Sequence, residues 1–360
     1  MSTSTTFQHL TVIELASVLA GPAVGLFFAE LGATVIKIEN KKTGGDVTRK
    51  WKLSSEDKDK ADSAYYHSVN YAKQVQFRDL QDAMDRQAVL NLIKEADIVV
   101  ANFKHGAAEK LGMAYEQLKI INPRLIYAAI NAYGKENPKL GFDVVIQAET
   151  GWVYMNGAPD GLPMKMPVAL MDVLAAHQLK EGILIALLNR YQTGKGCQVS
   201  ISLFDTGVAS LANQASNWLN EGYVPQPKGS QHANIAPYGD IFETADGQLI
   251  IVAPGVEKQY WKLLDCLDLG YLKNDERFVT NALRLKNRAA LNDYLSTAFR
   301  RYESAEILTN CAEQQVPIAP IRDLQQVFAL PAAQRLVLSQ TEADGTISKR
   351  VKTVVFEIEN

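Results

Sequence analysis

A chain of 360 residues that is 47% hydrophobic can bury a large core, and a formal charge of -3 leaves no basic field to attract nucleic acid. No uninterrupted apolar run reaches membrane-spanning length, so a bilayer is not expected as a partner. The opening MSTSTTFQHL lacks the charged head and apolar middle of a secretory signal, and three well-separated cysteines without a CxxC pair fit reduced thiols, so a cytoplasmic location is expected. Five scattered histidines, with no HExxH and no clustered carboxylates, predict no metal site.

In chain order, Leu10 to Leu15 reads as a strand, a helix opens at Pro22 and runs to a stop at Gly32, and Thr34 to Glu39 is a second strand. Strand, helix and strand at this spacing predict a right-handed crossover and hence a parallel sheet. The first turn, ASVLAGP, has no GxGxxG, so the nicotinamide and flavin fingerprint is absent. Gly44 to Ser63 is polar and aperiodic and predicts a surface excursion with solvated charges, where Lys50 or Lys52 could meet a phosphate. The alternation resumes with a strand near Gln74 to Phe77, a helix from Asp82 to Glu95, the strand ADIVVA, short helices at Ala107 to Leu111 and Tyr115 to Ile121, and the strand LIYAAI. Such alternation predicts an α/β, doubly wound, mostly parallel open sheet of Rossmann type, with its ligand crevice beyond the carboxyl ends of the strands.

The segment Met171 to Gly196 predicts a long helix, because Ala176, Leu179, Ile183 and Leu187 fall on one stripe while Lys180 and Glu181 lie off it. Asp172 stands at or beside its N-cap. Two readings are open for it: a capping carboxylate that accepts backbone N–H groups, or a functional group presented at the head of the helix. QVSISLF then reads as a strand and Asp205 to Leu219 as helical. Beyond Pro-rich Gly222 to Pro237 the pattern changes to a hairpin around Ala245-Asp246-Gly247 and helices at Glu257 to Leu267, Asn281 to Arg301 and Ser304 to Gln315, a smaller α+β domain. The expected division is therefore a large domain of residues 1–221 with 322–360, a small domain of 238–315, and linkers at 222–237 and 316–321. The strand-like tail RVKTVVFEI would rejoin the large domain.

Several segments in fixed order carry a resemblance. They are VLAGP with LGATVIKIE, GGDVTR, NYAKQVQFRDL, ADIVVANFKHGAAEKLG, NPRLIYAAI, GFDVVIQAETG, the Asp172 segment with RYQTGKG, and APYGDIFETADG. Together they span nearly the whole chain, which resembles the family III coenzyme A transferases, the group of the formyl-CoA and carnitine CoA-transferases. In that family a nucleophilic Asp stands ahead of the helix ending in RxxTGxG, so the resemblance assigns catalysis to Asp172. It implies CoA contacts at Val18, Leu19, Asn40, Lys73, Asn102, Phe103, Lys110, Leu111 and Lys139. It also implies acyl-CoA and a free carboxylic acid as substrates, no tightly bound cofactor, and a homodimer of two interlocked open rings. The chain departs from the pattern at Ala175-Ala176-His177, where the family carries a Gly, at Lys104-His105 in place of Arg-Pro, and in having no glycine run between Asn217 and Ile235.

The resemblance implies transfer through an aspartyl anhydride and an aspartyl-CoA thioester on Asp172. The helix N-terminus is expected to hold that carboxylate ionised and to supply oxyanion donors. An α-methylacyl-CoA racemase, which shares most of these motifs, is the nearest alternative, but it needs a His where this chain has Phe142. A catalytically inert acyl-CoA-binding protein is the other. Leu19, Phe142, Tyr154 and Met171 are candidate linings of an acyl pocket.

Overall fold

A computed structural model describes residues 5–342 and 344–358. Six strands, β1 (Thr11–Leu15), β2 (Thr34–Asn40), β3 (Gln74–Arg78), β4 (Ile98–Ala101), β5 (Ile126–Asn131) and β6 (Cys197–Ser202), form one sheet in the order β3-β2-β1-β4-β5-β6. All its pairings are parallel. Central β4, IVVA, is buried at every residue, as a strand covered by helices on both faces must be.

Alternate side chains along each strand feed two cores. Val12, Val35, Ile98, Val100, Ile126 and Ala128 pack with Phe28, Leu179 and Ile183 from the helices Ala20–Glu30 and Leu170–Thr193. On the other face Ile13, Ile36, Val99 and Tyr127 pack with Val89 and Ile93 from the helix Ala83–Lys94 and with Leu118. The predicted stripe of the long helix faces the first core, with Ala176, Leu179 and Ile183 buried and Leu187 packed against it. Lys180, placed off that stripe, is nevertheless buried, its ammonium 5.2 Å from the centre of the Phe27 ring. The long aliphatic stem lets the charge lie along an aromatic face.

The chain divides into two compact units, one running to Val153 and including Lys165–Asn220 and the stretch from Arg335 on, the other comprising Tyr154–Met164 and Glu221–Gln334. The second unit carries an antiparallel sheet of β7 (Ile241–Glu243), β8 (Leu249–Val252) and β9 (Ile318–Pro320). Its core is built around Tyr260, Leu263, Phe278, Leu295 and Phe299, with the rings of Phe242 and Phe299 stacked 4.9 Å apart. In the first unit a hairpin of β10 (Val337–Thr341) and β11 (Ile347–Val351) follows, and the Glu30 carboxylate then accepts the N–H groups of Thr353 and Val354.

Four elements differ from the sequence expectation. The 316–321 stretch, expected as a linker, supplies β9, an edge strand whose prolines lie where no ladder donor is needed. Ser202 ends β6 by capping a new helix at the N–H of Asp205, so Leu203 and Phe204 are helical. The helix expected over 205–219 is two, Leu203–Ala209 and Ala212–Glu221, broken where Ala212 takes φ +47°. Likewise Asn287 divides the expected 281–301 helix.

Candidate active site

The strand order reverses direction between β1 and β4, the point where an open α/β sheet leaves a crevice beyond its carboxyl ends. A cavity of about 820 Å³ lies there, lined by Ser17 to Ala20 after β1, Asn102 to Gly106 after β4, residues following β5, and Asp172. Asn102 ties the two rims together. Its Oδ1 accepts the Ser17 N–H at 3.1 Å and its Nδ2 donates to the Ser17 carbonyl at 2.8 Å. Next to that link Val18 takes φ +73°, a left-handed conformation that a β-branched residue adopts only when its surroundings over-determine it, and its N–H donates to Asp46 Oδ2 at 3.1 Å.

Asp172 is the third residue of the helix Leu170–Thr193, whose N-cap is Ala169, with no side-chain cap bond. The capping reading is therefore set aside: this carboxylate is free to face the cavity. It is 9% exposed, and burial first, then the charge of Asp143, pushes its pKa up to about 7. The helix N-terminus is expected to favour the ionised form, whereas desolvation and a like charge act in the opposite sense.

Asp143 is held in place by two donors. Its Oδ1 accepts the Met171 N–H at 2.7 Å and its Oδ2 accepts from Gln147 Nε2 at 2.6 Å, while fully buried Gln147 accepts the Met166 N–H. Tyr65 lies within the field of the same carboxylates. Burial and then the fields of Asp172, Asp143 and Asp46 push its phenol up to about 12, so it stays a protonated donor, with the Trp51 ring 5.2 Å away edge-on.

The sequence assigned neither Asp143 nor Tyr65 a role. Asp143 stood within the quoted GFD element, whereas Tyr65 follows an excursion that looked solvated. That excursion is partly folded inward: Asp46, Thr48 and Ser63 are buried, and Arg49 pairs with Glu39 and Asp62. The Lys52 ammonium donates to the carbonyls of Asp57 and Lys58, both at 2.9 Å, and Lys50 Nζ to that of Thr43 at 3.4 Å.

Of the residues assigned by resemblance, Val18, Leu19, Asn102, Phe103 and Lys139 line the cavity with Asp172. Lys139 pairs with Glu149 and lies 4.5 Å from the centre of the Tyr133 ring. The remaining four lie outside the lining. Asn40 is exposed at the end of β2, its Oδ1 accepting the Lys42 N–H at 2.9 Å, and Lys110 is exposed beside the lining residue Glu109. Leu111 packs on the apolar core. Lys73 has no exposed side-chain surface and is paired with Glu14 at 2.7 Å. Two lysines and a histidine that the sequence reading left unassigned or open, Lys104, Lys135 and His105, do line the cavity. Of the acyl-pocket candidates, Leu19 and Phe142 line it, Met171 is in the core, and Tyr154 belongs to the second unit, bonded to Gln226. Among the described residues no three His, Cys, Asp or Glu side chains come together as a metal site would require, and no helix is long and apolar enough to cross a membrane.

The doubly wound sheet, with a carboxylate-bearing cavity at the switch point of its strand order, defines an α/β protein of the class whose ligand crevice lies beyond the carboxyl ends of the strands. The chain belongs to CoA-transferase family III, whose model matches residues 7–359. It is 36% identical over 355 residues to the succinate–glutarate CoA-transferase of Agrobacterium fabrum, covering 96% of this chain and 88% of that one. It is 33% identical over 338 residues to the acetyl-CoA:oxalate CoA-transferase of Acetobacter aceti, covering 92% and 85%. The crystal structure of a CaiB/BaiF family protein from Brucella suis superposes with a TM-score of 0.84 at 36% identity, covering 99% and 93%.

Proposed function

We propose that this transferase moves CoA between a short dicarboxylic acyl-CoA and a free dicarboxylic acid through covalent chemistry on Asp172. What carries the reading is an uncapped carboxylate at the cavity wall whose pKa is raised to about 7. A carboxylate of higher basicity is a stronger nucleophile, yet one near 7 is still substantially ionised at neutral pH. The substrate class rests on the relatives, whose names specify succinate, glutarate and oxalate.

In the forward direction Asp172 attacks the thioester carbonyl and the CoA thiolate leaves, a feasible departure because a thiol has a pKa of about 8.5. A mixed anhydride remains. The thiolate attacks the aspartyl carbonyl of that anhydride, releasing the donor acid and leaving an aspartyl-CoA thioester. The acceptor carboxylate then attacks this thioester, expelling thiolate, and the thiolate attacks the new acyl carbonyl to give product and restore Asp172. Each attack builds negative charge on an oxygen. Asp172 stands in the first turn of its helix, so the positive end of the helix dipole favours that charge. Lys104, Lys135 and Lys139 supply positive charge along the cavity for the phosphates of CoA.

Incubation with succinyl-CoA and labelled glutarate, followed by a panel of acyl-CoA and acid pairs, tests the reading by mass spectrometry. Label should pass into the thioester, and in deuterated water no α-deuterium should be incorporated. Asp172→Ala should lower transfer by at least about 10⁴-fold and leave CoA affinity within about threefold. Retained turnover in that variant, or α-deuteration by the native protein, sinks the proposal.

A further inference from the structure

Beneath the first turn lies a set of buried charges that the proposed chemistry does not use. Glu14 from β1, Lys37 from β2, Asp46 from the loop after β2 and Lys73 from the approach to β3 have no exposed side-chain surface. Lys37 Nζ donates to Glu14 Oε1 at 2.9 Å and to the Ala16 carbonyl at 2.9 Å, and lies 3.0 Å from Asp46 Oδ2. Lys73 Nζ donates to Glu14 Oε2 at 2.7 Å, to the Pro22 carbonyl at 2.8 Å and to Asn70 Oδ1 at 3.3 Å. Each ammonium thus uses all three of its donors, and two positive charges balance two negative ones. The nearby helix leaves room for the pair: a Cβ on Gly25 would stand 1.9 Å from Glu14 Oε2.

Replacing such a buried network by apolar side chains is often as stable or more so, so stability alone is a poor reason for its presence. What distinguishes it is the backbone it grips. The Ala16 carbonyl, the Val18 N–H through Asp46, and the Pro22 carbonyl all belong to the short stretch that passes along the cavity. Asp46 is itself fixed by the N–H and hydroxyl of Thr48, at 3.1 and 2.8 Å.

We infer that Lys37, Asp46 and Lys73 are positioning residues for CoA transfer: they hold the Ala16 to Pro22 backbone, with Val18 in its left-handed conformation, where it lines the cavity that Asp172 also lines. The inference rests on the transferase reading above. None of the three touches the reacting atoms; they act through the shape of the turn, and displacement of a reacting centre by about 1 Å can cost on the order of 100-fold in rate.

A double-mutant cycle between Asp46→Asn and Val18→Gly tests it, using succinyl-CoA with labelled succinate, or the first pair in the panel that the native protein turns over. CoA binding is measured alongside by calorimetry. Glycine adopts positive φ without strain, so a turn carrying it depends less on being held. Asp46→Asn should lower kcat by about tenfold or more in the native background and by less than about threefold in the Val18→Gly background, with the Kd for CoA within about threefold in all four proteins. Equal losses in the two backgrounds, or a loss in Kd that matches the loss in kcat, overturn the inference and leave a purely structural role. Should Asp46→Asn fail to fold, Thr48→Val, which removes only the hydroxyl that orients Asp46, carries the same comparison with an expected fall of about threefold. If the native protein exchanges no pair, the transferase reading falls first and this inference falls with it.

Discussion

The proposed chemistry turns on one cavity-lining carboxylate, Asp172, and on the charge of its neighbour Asp143. Burial raises Asp172 to about 7 and Asp143 adds to the rise, so the free enzyme's kcat/KM should climb through about pH 7 as Asp172 loses its proton. Replacing Asp143 by Asn removes a negative neighbour, which makes ionisation of Asp172 easier and moves that midpoint to lower pH. The shift should be partial, because burial is the larger cause and remains. A profile whose acid limb does not move in Asp143→Asn would show that the two groups do not interact. Asp172 could be singled out from the chain because the family resemblance assigns a nucleophilic Asp to the place ahead of RYQTGKG, and the structure puts this carboxylate at the cavity. Its basicity could not, since Asp143 comes to it by the bond from Met171, well away in sequence. Lys73 shows the same limit. As a letter it is a cation in a motif, and only the fold reveals that Glu14 and the Pro22 carbonyl enclose it, with burial lowering it to about 8.

At the level of elements, the strands that build the main sheet were legible because β1, β2, β4 and β5 are Val- and Ile-rich runs separated by amphipathic helices and turn residues. β9 was not, since a three-residue strand bounded by prolines earns its place only through its partner β8. The end of the long helix is another element fixed by local geometry. Gly194 closes it at φ +71° with no crowding backbone, whereas Gly196 passes so close to the preceding segment that a Cβ would stand 2.1 Å from the Leu125 carbonyl oxygen. These two glycines should therefore respond differently. Gly196→Ala should lower stability by about 2 kcal/mol or more, because backbone and not a movable side chain is in the way. Gly194→Asn should cost less than about 1 kcal/mol, since Asn tolerates the left-handed conformation. Urea unfolding midpoints compared at a common slope measure both, and equal losses would contradict the geometry.

For the molecule as a whole, a parallel sheet with its crevice beyond the carboxyl ends of the strands followed from the alternation of elements, and the cavity lies at such ends, after β1 and after β4, whereas which strands flank it is set by a strand order that the alternation does not record. Assembly is a different matter, because no single-chain pattern records a partner. The outer side of the long helix exposes Ile185, Leu188 and Tyr191, the last 92% exposed, and the helix Ala212–Glu221 exposes Trp218 and Leu219. Large apolar side chains exposed on these helices are of the kind buried against a partner, and the family resemblance implies that the partner is a second copy. If the two copies are linked as open rings, separation requires part of a chain to unfold, so it is governed by an unfolding barrier and not by interface area. The protein should then keep twice the chain mass by light scattering and mass photometry down to nanomolar concentration. Tagged and untagged subunits, mixed after purification, should fail to exchange until denaturant is added. Monomer on dilution, or mixed dimers formed without denaturant, would show an ordinary side-by-side contact, because such a pair can part without opening either chain.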